Sequence, residues 1–139
     1  MSAQALTTDR IDLADLFTRL AVLLDEKRWD DAGTAFTGDV VARSPLGHEL
    51  HGLDQVIAHM RKGEAVGEHT QHVTTDLLVD VDADGDRAAV SANSLVFFYR
   101  DGEPPFRTSG LRLVTAAVRT ADGWRIREWE TKLLWMREA

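Results

Sequence analysis

Two short stretches of this chain carry the residue types that acid–base chemistry needs. Asp25 sits in Leu24-Asp25-Glu26-Lys27-Arg28-Trp29, and His72 closes Thr70-Gln71-His72. A carboxylate beside an imidazole in an apolar cavity makes a general base. The carboxylate fixes the ring tautomer and stabilises the cation formed on proton uptake. Other chemistries find weaker footing. His48-x-x-His51 and His69-x-x-His72 have a tolerable metal-ligand spacing, but a metal site needs a third convergent ligand and a supporting shell, so no metal is expected. The run Asp80-Val81-Asp82-Ala83-Asp84-Gly85 mimics the front of a calcium loop, yet the position of its bidentate glutamate is Ser91. There is no cysteine, which removes disulfides and thiolate sites. Neither a glycine-rich phosphate cradle nor a serine elbow is present, and no cofactor is expected.

The elements that must position Asp25 and His72 follow from hydrophobic periodicity. Leu13, Leu16, Phe17, Leu20 and Leu24 predict a helix over 9–26, N-capped by Thr8 and with Asp9 and Asp12 in its first turn. Residues 1–8 are expected to be disordered. Asp25 then falls at the helix C-terminus, where the helix dipole disfavours an acid, so a compensating partner is expected. A short second helix presents Trp29, Ala32 and Phe36, and a short strand over 39–44 stops at Pro45 and Gly47. A further helix over 54–62 presents Leu53, Val56, Ile57 and Met60.

The second half changes character. Strands are predicted over 72–81, 87–100, 106–119 and 124–134, with Asp84-Gly85 and Asp122-Gly123 as hairpin turns. Helices first and a meander afterwards predict a single α+β domain over 1–139. By period-two alternation His72 shares a face with Thr74 and Asp76. Arg112, Asn93 and Tyr99 are expected to face the cavity, one of them as an oxyanion donor. Trp124, Trp129, Trp135, Phe97, Phe98 and Phe106 are divided between pocket and interface.

Composition limits the partners. A net charge of −7, with no basic run to offset it, argues against nucleic acid and anionic membranes. The start of the chain lacks the basic and apolar segments of a signal peptide, and no apolar stretch approaches the roughly 20 residues that span a bilayer. A cytoplasmic protein with a small-molecule partner is the expectation.

The order of elements, with L-D-E-K-R-W-D-D-A-G-T-A-F, Gly52-Leu53-Asp54, T-Q-H-V and D-G-W-R-I, resembles the SnoaL-like branch of the nuclear transport factor two-like superfamily. The resemblance covers roughly residues 9–135. It implies a cone-shaped, bent antiparallel sheet wrapped around helices, an apolar pocket, and a homodimer through the outer sheet face. Scytalone dehydratase-like enzymes place a catalytic Asp and His in stretches that match Asp25 and His72. Dehydrochlorinase-like and bile acid dehydratase-like members use a similar pair. Several helper positions are vacant here. The dehydratase tyrosine matches Leu24, its second histidine falls on or near Phe97, and the dehydrochlorinase lysine falls on Leu20. In the steroid isomerase branch, the base position matches Ser44 and the oxyanion tyrosine Leu20.

The resemblance therefore implies a cofactor-independent lyase or isomerase/cyclase acting on a small, apolar, oxygenated metabolite. Asp25 and His72 would be catalytic, and Leu20, Met60, Asn93, Phe97, Tyr99 and Arg112 would bind substrate. The alternative is a non-catalytic binding or accessory protein with the same pocket, favoured by the missing helpers.

Overall fold

The computed structural model describes residues 2–139. Helix α1 spans Ala3–Asp25, longer than its periodic stripe suggests, because Ser2 rather than Thr8 is the N-cap. The Ser2 hydroxyl accepts from the Ala5 N–H at 3.0 Å. Residues 3–8, expected to be disordered, are thus the first turns of the helix, and Met1 lies outside the described residues. Leu13, Leu16, Phe17, Leu20 and Leu23 are buried on one face of α1. Each such side chain contributes about 1.5–3 kcal/mol on burial. A 3-10 turn, Trp29–Thr34, leads into β1 (Phe36–Arg43), a three-residue β2 (Glu49–His51) and helix α2 (Leu53–Lys62). Four long strands follow: β3 (Glu68–Val81), β4 (Arg87–Arg100), β5 (Arg107–Thr120) and β6 (Gly123–Glu138).

The strand order is β2-β1-β6-β5-β4-β3. Four strands, β3 to β6, make the expected antiparallel ladder, but β1, itself antiparallel to β2, runs parallel to β6, so the sheet is mixed. The sheet does not close, which leaves β3 as an edge. Its inner face packs on α1 and the 3-10 turn through a core that includes Phe36, Val40, Val90, Ala117 and Ile126.

Two local features set where β3 lies against α1. After Asp25 the chain turns at Lys27, a non-glycine residue at φ 56°. Its ammonium donates to the Glu68 carbonyl at 2.8 Å, which ties the start of β3 to the end of α1. Farther along, Asp76 also has φ 56°, and the β3–β4 register shifts between Thr75 and Leu78. This bulge takes Asp76 out of the alternation that would have placed it beside His72 and Thr74. Its carboxylate accepts from Asn93 Nδ2 at 3.0 Å.

Candidate active site

The end of α1 and the start of β3 bring Asp25 and His72 together. Asp25 Oδ1 lies 2.5 Å from His72 Nδ1. The same carboxylate accepts the His72 backbone N–H at 2.9 Å through Oδ2 and 3.1 Å through Oδ1, and the Thr70 hydroxyl at 3.0 Å. These donors are the compensation that an acid at a helix C-terminus needs. The side chains of His72 and Asp25 are 17% and 23% exposed, so water screens the pair only in part. Because a carboxylate is an acceptor, the contact assigns the proton to Nδ1. Nε2 is left as the lone-pair nitrogen of the neutral ring.

His72 lines a cavity of about 220 Å³. One wall is α1, with Phe17, Leu20, Ala21 and Leu24, and the sheet supplies Thr74, Ser94, Leu111, Leu113, Trp129 and Thr131. Asp25 lies behind the His72 ring and does not line the cavity, so it can act only through the imidazole. A second cleft of about 310 Å³ adjoins at Leu24, which lines both, and is bordered by Lys27, Trp29, Met60, His69, Phe98 and Arg107 among others.

The other expected binding residues divide. Leu20 lines the cavity, and Met60 lines the neighbouring cleft. Arg112, Asn93 and Tyr99 border neither void, which corrects the strand parity expected for them, and Phe97, expected to bind substrate, borders neither as well. The inner positions of β4 are Ala92, Ser94 and Val96, all buried, and those of β5 are Leu111 and Leu113. Arg112 and Asn93 are a cross-strand pair on the outer face, where Arg112 Nε donates to Asn93 Oδ1 at 2.8 Å. Tyr99 pairs in register with His69, their ring centroids 5.4 Å apart.

The lining residues that sequence reasoning did not single out are Phe17, Ala21, Ser94, Leu111, Leu113 and Thr131. Phe17 carried the helix-stripe signal of a core residue. Ser94 and Thr131 carried none, since a strand hydroxyl is ordinary. Of the aromatics, Trp129 lines the cavity, Trp124 is buried in the core, and Trp135 lies over Gly110, where a Cβ would come within 2.3 Å of its indole. Among the described residues, no group of three or more acidic or histidine side chains converges as a metal site would require. Nor is any helix there long and apolar enough to cross a membrane.

Comparison with known proteins places this geometry. The family model of the SnoaL-like domain matches residues 5–130, and the chain belongs to that family, within the nuclear transport factor two-like superfamily. No curated protein matches the sequence. Among solved structures, the chain is similar to Kfla4162 from Kribbella flavida, with 23% identity, 95% of both chains covered and a TM-score of 0.84. A candidate scytalone dehydratase from Novosphingobium aromaticivorans superposes with a TM-score of 0.88 at 12% identity, over 99% of this chain and 92% of that one. The hexachlorocyclohexane dehydrochlorinase LinA-type3 from Novosphingobium barchaimii gives 0.83 at 11% identity, over 99% and 94%. Likeness at these identities is likeness of fold.

Proposed function

We propose that the protein is a cofactor-independent lyase or isomerase/cyclase whose general base is His72, oriented and charge-stabilised by Asp25. The observation that carries this reading is the 2.5 Å contact between Asp25 Oδ1 and His72 Nδ1, with the imidazole bordering a largely apolar cavity. Dehydrochlorination and candidate dehydration among proteins of like fold are consistent with it. The substrate is a small, oxygenated, largely apolar molecule. Nε2 takes a proton from carbon next to a carbonyl, and the C–H electron pair moves into an enolate.

His72 is the one titratable side chain on the cavity wall. The imidazolium it becomes must therefore return the proton itself. Delivery to a leaving hydroxyl breaks the C–O bond, forms C=C and releases water. Delivery to another carbon of the enolate completes an isomerisation. A single base makes both events occur on one face of the substrate.

The test is His72→Ala, with turnover of a panel of β-hydroxy ketones and β,γ-unsaturated ketones followed by mass spectrometry. Loss of about 10²–10⁴-fold in turnover, with ligand binding retained, is expected. Undiminished turnover would sink the assignment. The same absence of a second titratable wall group favours one other reading, a binding or accessory module with no chemistry. Depletion of any panel compound by the wild-type protein excludes it.

We also infer pairing with a second copy of the chain through the outer sheet face. Val73, Leu95, Val114 and Trp135 are 38–48% exposed there. Large exposed apolar side chains on one sheet face favour a partner there.

A further inference from the structure

Besides His72, the polar side chains of the cavity are Thr74, Ser94, Thr131 and Trp129. The Trp129 Nε1 is itself buried without a partner, so a ligand meets the ring rather than the N–H. Ser94 is the most enclosed of the hydroxyl residues. It occupies the inner face of β4 between buried Ala92 and Val96, and the residue is 2% exposed. Its side chain borders the void. Thr115, buried on the same face, instead donates to the Val90 carbonyl at 2.8 Å. A hydroxyl bordering an otherwise apolar cavity is suited to donate to a ligand oxygen.

Its position relative to the base is set by register. His72 pairs with Val96, and Thr74 pairs with Ser94, which makes Ser94 the diagonal neighbour of His72. Such residues stand about 7 Å apart on one sheet face. A carbon acid with its C–H at the imidazole and its carbonyl oxygen at the hydroxyl fits across that gap. No Lys or Arg lines the cavity, so nothing there would offset the desolvation of a carboxylate or phosphate.

We infer that Ser94 is the oxygen-holding residue of this cavity, donating its hydroxyl to the carbonyl of a neutral, compact ketone or enone. The inference deepens the reading of His72 as base and rests on it. As Nε2 takes the proton, the C–H pair becomes the C=C of the enolate and the carbonyl π pair moves onto oxygen. The Ser94 O–H then faces a fuller charge and its hydrogen bond strengthens. A neutral hydroxyl does here what a cation or tyrosine does at the vacant helper positions, and it selects uncharged substrates.

The experiment uses planar enol mimics rather than an unidentified substrate. Phenol and toluene differ by one oxygen, and their affinities are measured by calorimetry for the wild type, Ser94→Ala, Ser94→Cys and His72→Asn, each checked for folding by thermal melting. The wild type is expected to prefer phenol by about two- to tenfold, the range of one hydrogen bond. Ser94→Ala brings that preference close to unity with toluene affinity unchanged, and Ser94→Cys, a weaker donor of similar size, falls between. A preference that survives in Ser94→Ala, or that vanishes only in His72→Asn, overturns the inference, because the oxygen then sits at the imidazole. The base assignment is read separately, in the turnover of His72→Ala, so the two can fail independently.

Discussion

Asp25 is the most heavily committed side chain in the molecule, with two oxygens accepting from a ring nitrogen, a backbone N–H and a hydroxyl. Its replacement therefore has two effects. Asp25→Asn turns one acceptor into a donor against His72, so turnover should fall by about 100-fold or more. Stability should drop by about 1–3 kcal/mol, since buried donors lose their acceptor. Urea unfolding and steady-state kinetics on one preparation separate the effects, and a variant with unaltered midpoint would show that the carboxylate does not anchor β3. At this scale the sequence was partly legible. Asp25 stands out because the helix dipole disfavours an acid at a helix C-terminus, and His72 because its T-Q-H stretch matches that of scytalone dehydratase-like enzymes. Ser94 and Thr131 do not, because only the curvature of the sheet gives an ordinary hydroxyl a cavity to face.

Between elements, the telling residue is Asp9. Expected as a dipole-favoured acid in a first turn, it lies instead in the body of α1 and is 4% exposed. It accepts from Arg119 Nη2 at 2.8 Å and from Trp124 Nε1 at 3.3 Å, clamping the helix to the β5–β6 hairpin. Asp9→Ala would leave the buried Trp124 indole N–H without its acceptor and Arg119 without its carboxylate, at a cost of about 1–3 kcal/mol. A denaturation midpoint equal to wild type would exclude the clamp. Strand existence was readable from alternation and turn glycines, but strand parity was not. Leu95, Phe97 and Tyr99 on the outer face of β4 are as apolar as Ala92 and Val96 on the inner one, so the pattern does not say which side is the core. The bulge at Asp76 is equally silent in sequence, since aspartate in a left-handed conformation carries no distinctive neighbours.

The molecule as a whole is an open mixed sheet folded over one long helix, with exposed apolar side chains among the polar ones of its outer face. The parallel β1–β6 pairing could not be read from periodicity, because parallel and antiparallel neighbours impose the same alternation. Helix-then-meander order did convey the fold class. If the outer face joins two copies, light scattering at micromolar concentration should give twice 15.5 kDa, and Trp135→Glu should halve that mass. A wild-type monomer would refute the pairing.

The open sheet has one more consequence. Strand β3 is an edge, and edges invite foreign strands unless something covers them. The outward N–H of His72 is taken by Asp25 and the outward carbonyl of Glu68 by Lys27, both from the end of α1. The groups that orient the imidazole therefore also deny this edge to intermolecular β-addition. Replacing Asp25 should raise amide hydrogen exchange at His72 and promote self-association during storage, so solubility and catalytic competence would be lost through the same side chain.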